Sequence, residues 1–185
     1  ENDHNGYTHT KGDSELLTSI EQKLTNDVAW SFEDNSGLTA MVTSGTAGAL
    51  TLACLAILGP GDEIIIPDPY FVIYPTLARI AEAKAVLCDT YPDFRMTVDR
   101  IEPLITSKTK AVLLNSPGNP TGAVLRADEV EAVANLCKER GILLITDEIY
   151  DEFIFPPTTH ASPASFSADV LIVRGYSKTH GCTGW

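Results

Sequence analysis

Short apolar runs alternating with helical segments constrain the fold of this chain more than any other feature. Six such runs lie at 40–43, 63–67, 84–89, 110–115, 142–146 and 169–174. Runs of this length, apolar on both faces, are typical of buried strands. Strands that alternate with helices predict an α/β fold, in which a mostly parallel sheet lies between two helical layers in a three-layer αβα arrangement.

Four segments predict the helices. The first begins at a capping signal, Asp13 or Ser14, and continues as LLTSIEQKL with apolar residues at helical spacing. The others are TAGALTLACLAIL, which Gly59 ends, VIYPTLARIAEA, and RADEVEAVANLCKER, which Gly141 ends.

Composition limits the classes of partner. With 185 residues, 44% of them hydrophobic and 21% charged, we expect one globular domain. A net charge of -12 argues against a nucleic-acid partner or an anionic membrane, since both are bound through an excess of Lys and Arg. No apolar stretch approaches the roughly 20 residues of a membrane span, so we expect no membrane segment.

The cysteine spacing indicates the cellular compartment, and the histidine spacing argues against a metal site. The four cysteines are Cys54, Cys88, Cys137 and Cys182, with no C-x-x-C pair, which favours a reducing, cytoplasmic location. No two of the four histidines are spaced to share a helix face, so no metal site is predicted. The chain opens without methionine and stops in a polar loop, so we expect a fragment: residues 1–185 as one domain, incomplete at its C-terminus.

The loops that follow the predicted strands are rich in reactive or binding residues. In open parallel sheets, ligands bind beyond the carboxyl ends of the strands. The five loops are SGTAGA, DPYF, SPGNPTG, DEIY and GYSKT, each directly after an apolar run. We therefore predict that the functional site is built from these loops.

The first of these loops leads straight into a helix. Ser44, Gly45, Thr46 and Ala47 would present free backbone N–H groups at a positive helix end, which favours an anion such as phosphate. A tight turn that uses glycine only for its backbone freedom remains an equal alternative.

Two further loops carry polar side chains at the ends of buried strands. SPGNPTG holds Asn119 in a turn made rigid by two prolines, and forms either a pocket wall or simply a turn. Asp147 follows ILLIT directly, where a carboxylate is costly to bury unless a cation meets it. Asp147 and Tyr150 could grip opposite sides of a polar ring; alternatively, Asp147 caps a turn.

Lys178 in GYSKT admits three functional interpretations. It is not the lysine of a P-loop, because Ile172 and Ser177 stand where that motif has glycine. It is not part of S-x-x-K, because Gly175 occupies the serine position. A partly desolvated amine that forms an imine with a carbonyl remains, beside the alternative of a solvated surface lysine.

Taken together, NSPGNPTG, DEIY and YSKTHGCTGW, in this order and spacing, resemble the class I aminotransferases of fold type I, the aspartate and aromatic aminotransferase family of pyridoxal phosphate enzymes. The resemblance covers nearly the whole chain. It implies the large cofactor-binding domain of such an enzyme, with pyridoxal 5'-phosphate as cofactor and an α-amino acid and a 2-oxo acid as substrates.

The resemblance also implies roles for individual residues. Lys178 would hold the cofactor as an imine and later move a proton between substrate and cofactor. Asp147 would pair with the pyridine nitrogen, and Tyr150 and Asn119 would hydrogen-bond the phenolic oxygen of the ring. Phe71 would stack on the ring.

The phosphate would be held by backbone groups around Gly45, Thr46 and Ala47 and by the hydroxyl of Ser177. Tyr7 matches a tyrosine that in the family reaches the phosphate of a neighbouring subunit, which implies a homodimer with shared active sites; an ordinary surface tyrosine is the equal alternative. The family motif continues T-G-W-R, but the chain ends at Trp185. That arginine and the small C-terminal domain are therefore absent from this chain, and the chain by itself is expected to be inactive.

Two other functions remain open. A lyase on the same scaffold, such as a carbon–sulfur or aminocyclopropane-forming enzyme, would share the first chemical steps. A non-catalytic binding module on this scaffold is the other alternative, but such a module would have no physical need for Lys178, Asp147 and Tyr150 together. The sequence does not identify the amino acid substrate.

Overall fold

A computed structural model describes residues 6–33 and 36–184 of the chain. Its centre is a five-stranded sheet in which every strand pairs with its neighbours in parallel. The strands are β1 (Glu63–Asp68), β2 (Lys84–Asp89), β3 (Thr109–Asn115), β4 (Leu143–Asp147) and β5 (Val170–Val173). Their order across the sheet is β2-β1-β3-β4-β5.

Helices connect or flank these strands. They are α1 (Ser14–Val28), α2 (Gly45–Ile57), α3 (Tyr74–Ile80), α4 (Val98–Ile101), α5 (Ala127–Arg140) and α6 (Tyr176–Thr179), with 3₁₀ turns at Glu102–Leu104 and Pro163–Ser165. All four predicted helices are confirmed. None of the helices within residues 6–33 and 36–184 is long and apolar enough to cross a membrane.

The helix ends follow from local chemistry. Oδ1 of Asp13 accepts hydrogen bonds from the backbone N–H groups of Glu15 at 3.0 Å and Leu16 at 3.1 Å, so two otherwise unpaired donors of α1 are satisfied. Gly141 ends α5 with a φ of 64°, in the left-handed region that glycine adopts without steric cost.

Two hydrophobic clusters pack on opposite faces of the sheet. Ile64 and Ile66 of β1 belong to a cluster with Leu50 of α2 and Leu77 of α3. Ile65, between them, faces the other way and packs in a cluster that includes Val133 of α5. Side chains alternate along a strand, so an unbroken apolar run serves both clusters at once. The three-layer α/β fold is thereby confirmed.

The prediction of a strand at 40–43 is wrong. These residues have no strand conformation, and Met41 is half exposed. The N–H of Val42 donates to the carbonyl of Lys11 at 2.7 Å, but no strand within the described residues pairs with the segment, and β5 pairs only with β4. A strand needs a neighbouring backbone to complete its hydrogen bonds, and an apolar run alone does not supply one.

Candidate active site

The register of the sheet brings three of the predicted loops together. Asn115 at the end of β3 pairs with Asp147 at the end of β4, and Asp147 pairs with Val173 at the end of β5. The loops that follow these strands therefore begin side by side at one edge of the sheet, where ligands bind in open parallel sheets.

Asp147 is a buried carboxylate with only neutral partners. It is 3% exposed. Oδ2 accepts a hydrogen bond from the hydroxyl of Tyr74 at 2.8 Å, and Oδ1 accepts one from the N–H of Ile149 at 3.3 Å. Burial raises the pKa of Asp147, although the hydrogen bond from Tyr74 works against the rise. No cation within the described residues forms an ion pair with this carboxylate, so a cationic atom of a ligand would offset the cost of its burial.

Tyr74 is a site residue that the sequence did not reveal. It is 2% exposed, and its ring packs edge-on against Phe71, with centroids 5.7 Å apart. Burial raises the pKa of Tyr74, so its phenol stays protonated and donates to Asp147. Its place at the start of α3, just beyond the carboxyl end of β1, was the available signal.

Asn115, also not predicted, links two of the predicted residues. Its Nδ2 donates to the backbone carbonyl of Asp147 at 3.0 Å, and its Oδ1 accepts from the N–H of Asn119 at 2.7 Å. Asn115 thus fixes the SPGNPTG turn against the end of β4. The signal in the sequence was an asparagine at the end of an apolar run.

Lys178 lies in α6, close to Tyr150. Its Nζ is 6.0 Å from the centroid of the Tyr150 ring, and Tyr150 itself is half-buried. The expectation that Lys178 is partly desolvated is not met in this chain, because the side chain is exposed along with residues 179–181. Trp185, the last residue of the motif YSKTHGCTGW, lies outside the described residues.

The start of α2 has the features of an anion site. Gly45 begins the 13-residue helix with a φ of 65°. The N–H groups of Thr46 and Ala47 in its first turn donate to no other group in the described part of the chain. Such a helix end favours negative charge through its free donors and its dipole.

Gly175 allows this helix end to approach α6. A Cβ atom at Gly175 would lie 3.0 Å from Cγ2 of Thr46 and 3.0 Å from Cδ1 of Ile149. The start of α2 therefore packs closely against the segment that leads to Ser177, and Ser177 is half-buried there. Tyr7, by contrast, is fully exposed, so a single chain does not bring it to the buried part of the site.

These residues fit the group that the sequence resemblance implies. An unpaired buried carboxylate suits a protonated ring nitrogen, a half-buried phenylalanine suits a ring face, and free N–H groups at a helix start suit a phosphate. The amine of Lys178 suits an aldehyde. The arrangement can therefore hold a phosphorylated, nitrogen-containing aromatic aldehyde.

Comparisons with known proteins agree with this geometry. The family model "Aminotransferase class I and II" matches residues 1–185. The chain is 33% identical to a probable aspartate aminotransferase of Methanocaldococcus jannaschii, over 97% of this chain and 47% of that protein. It is 35% identical to an aspartate aminotransferase of Bacillus subtilis, over 98% of this chain and 47% of that protein.

Solved structures show the same fold. An aromatic aminotransferase from Pyrococcus horikoshii matches with a TM-score of 0.90 at 36% identity, covering 97% of this chain and 49% of that one. A Thermus thermophilus aspartate aminotransferase variant matches with a TM-score of 0.89 at 35% identity, over 97% of this chain and 47% of that one. The chain thus spans about half the length of the relatives it matches. It belongs to the class I and II aminotransferases, a family of pyridoxal phosphate enzymes, as its motifs predicted.

Proposed function

We propose that the complete protein containing this chain is a pyridoxal phosphate-dependent aminotransferase, which moves an amino group between an α-amino acid and a 2-oxo acid. One observation carries the proposal: Asp147 is a buried carboxylate without a cationic partner among the described residues, at the sheet edge where Asn115, Asn119 and the β5 loop meet. When bound, the cofactor supplies an aromatic ring that accepts electrons from the substrate α-carbon.

Asp147 holds a proton on the ring nitrogen in this proposal. The carboxylate must be ionised for that role, and the hydrogen bonds from Tyr74 and Ile149 favour the ionised form against the effect of burial. Asp147 would thereby gain the cationic partner that the described residues do not supply.

Lys178 would hold the cofactor through its amine, and the same amine, when free, would move a proton at the substrate α-carbon. Tyr150 and Asn119 would hydrogen-bond the phenolic oxygen of the ring, and Phe71, held by its edge contact with Tyr74, would pack on the ring face. Ser177 and the start of α2, at Gly45, Thr46 and Ala47, would bind the phosphate.

We further propose a cytoplasmic homodimer with shared sites. Full exposure of Tyr7 supports it, because a tyrosine in solvent is free to reach the phosphate of a second subunit. The cysteines support the compartment, since Cys54, Cys88 and Cys137 are buried free thiols.

Product analysis tests the proposed reaction. The complete protein, loaded with pyridoxal phosphate, is incubated with 2-oxoglutarate and single amino acids, beginning with aspartate and an aromatic amino acid because similar proteins bear those names. Aminotransfer yields glutamate and the matching 2-oxo acid in equal amounts. Release of ammonia or a thiol without glutamate would instead assign a lyase.

A further inference from the structure

A second buried carboxylate lies beside Asp147 in opposite surroundings. Glu148 is fully buried, and Oε2 accepts a hydrogen bond from Nε of Arg174 at 2.9 Å. Oε1 accepts from the hydroxyls of Ser162 at 2.6 Å and Thr146 at 3.2 Å. Nε2 of His160 lies 3.3 Å from Oε2. Glu148 is therefore fully paired within the protein, whereas Asp147 is not.

The same arginine reaches two other carboxylates. Nη1 of Arg174 donates to Oδ2 of Asp27 at 2.8 Å, near the end of α1, and Nε lies 3.3 Å from Oδ2 of Asp151. The Arg174 side chain is 19% exposed. Three carboxylates around one guanidinium thus join α1, the turn after β4 and the end of β5.

The ion pair lies between the two segments that carry the proposed chemistry. Glu148 directly follows Asp147, and Arg174 is four residues before Lys178. A backbone hydrogen bond joins the same two segments, since the N–H of Glu148 donates to the carbonyl of Val173 at 2.9 Å. A shift of Arg174 relative to Glu148 would therefore change the distance from Asp147 to Lys178.

We infer that the ion pair between Glu148 and Arg174 is a positioning device, which sets the placement of Lys178 relative to Asp147 so that both reach one bound ring. The inference rests on the proposed function. Stability alone does not call for such a pair, since apolar residues of similar volume are often as stable as a buried ion pair or more so. Catalysis does call for it, because a misplacement of about 1 Å can cost about 10²-fold in rate.

The test uses Glu148→Gln and Arg174→Met in the complete, cofactor-loaded protein. Each is expected to lower kcat by about 10- to 100-fold while KM changes by less than about 3-fold. The double variant should lose no more than the worse single variant, because both changes break one interaction. Arg174→Lys, which keeps a cation beside Glu148, should recover part of kcat.

Two further readouts separate positioning from support of the fold. The circular dichroism of the bound cofactor reports its orientation in the site and should change in Arg174→Met. The rate at which unloaded protein attaches pyridoxal phosphate should fall in the same variant. Asp27→Asn is the matched control, since it removes the α1 partner of Arg174 and keeps Glu148 paired; its kcat should stay within about 3-fold of the original protein.

Unchanged kcat, dichroism and attachment rate in folded Glu148→Gln and Arg174→Met, with only a lower melting temperature, would overturn the inference. If Arg174→Met does not fold, the isosteric Glu148→Gln decides alone. If the unsubstituted protein attaches the cofactor but transfers no amino group, the proposed reaction is wrong. The rates at which this protein and its variants attach the cofactor still test the positioning.

Discussion

The hydroxyl of Tyr74 donates a 2.8 Å hydrogen bond to Oδ2 of Asp147, although 73 positions separate the two residues in the chain. Both side chains are buried, and the ring of Tyr74 also packs edge-on against Phe71. One residue thus touches the carboxylate proposed for the ring nitrogen and the aromatic side chain proposed for the ring face.

Tyr74→Phe is expected to lower kcat/KM by about 10- to 100-fold, because a hydrogen bond to a charged group is worth roughly 1.5–3 kcal/mol. Loss of that bond raises the pKa of Asp147 further, so the acidic limb of the pH–rate profile should move to higher pH. The profile, measured across the acidic range, checks both effects. Tyr70→Phe is the matched control, since Tyr70 is an exposed neighbour of Phe71, and it should leave the profile unchanged.

Glu148 and Asp147 should affect acid stability with opposite signs. Burial acts to raise the pKa of Glu148, but His160, Arg174 and Ser162 outweigh it and leave the pKa below its usual range. Its stabilising contribution is therefore present above the ordinary glutamate pKa of about 4.3 and is lost as the pH falls through the lower folded value. The pKa of Asp147 is raised, so its ionisation costs stability as the pH rises above about 3.9.

Glu148→Gln should accordingly reduce the free energy of unfolding by about 3 kcal/mol at neutral pH, because it breaks the buried ion pair with Arg174. Arg174 then keeps only Asp27 and Asp151 as charged partners among the described residues. The deficit should shrink as the pH falls below about 4.3, because the Glu148 carboxylate of the unfolded chain binds a proton there while that of the folded protein, with its lower pKa, stays ionised. Denaturant unfolding of the unloaded protein at a series of pH values measures the loss of unfolding free energy and its dependence on pH. A deficit that grows on acidification would contradict the assignment of an ionised Glu148.

Gly175→Ala should weaken cofactor binding at the phosphate end. The added methyl group would meet Thr46 and Ile149 at 3.0 Å and push the start of α2 away from α6; insertions of this kind cost about 1–3 kcal/mol. We expect the dissociation constant of pyridoxal phosphate to rise about 10-fold, measured by titration of unloaded protein. Gly59→Ala, whose Cβ would lie 3.8 Å from Asp62, makes only an ordinary contact and should bind the cofactor normally.

Local patterns predicted the helices and five strands because each depends on neighbouring residues. The helix start at Asp13 and the glycine end at Gly141 are examples of such local chemistry. The prediction at 40–43 failed because a strand also needs a neighbouring backbone to pair with, and an apolar run does not show whether one is present.

Some residues of the candidate site were likewise predictable from local sequence and others were not. Asp147 and Lys178 were predicted from their positions after apolar runs, but Tyr74 and Asn115 act through contacts that only the register of the sheet creates. The sequence did not single out Glu148. Successive side chains near a strand end point to opposite sides, and this alternation places one carboxylate in the site and the other against Arg174.

The central claim is that Lys178 carries the cofactor, and one measurement tests it directly. The complete protein is incubated with pyridoxal phosphate, reduced with borohydride, digested and analysed by mass spectrometry, with Lys178→Ala as the control. We predict a single phosphopyridoxyl adduct on Lys178, which is absent from the control. A folded protein that leaves Lys178 unmodified, or carries the adduct on another lysine, would contradict the proposed function and the roles assigned to Asp147 and Tyr150.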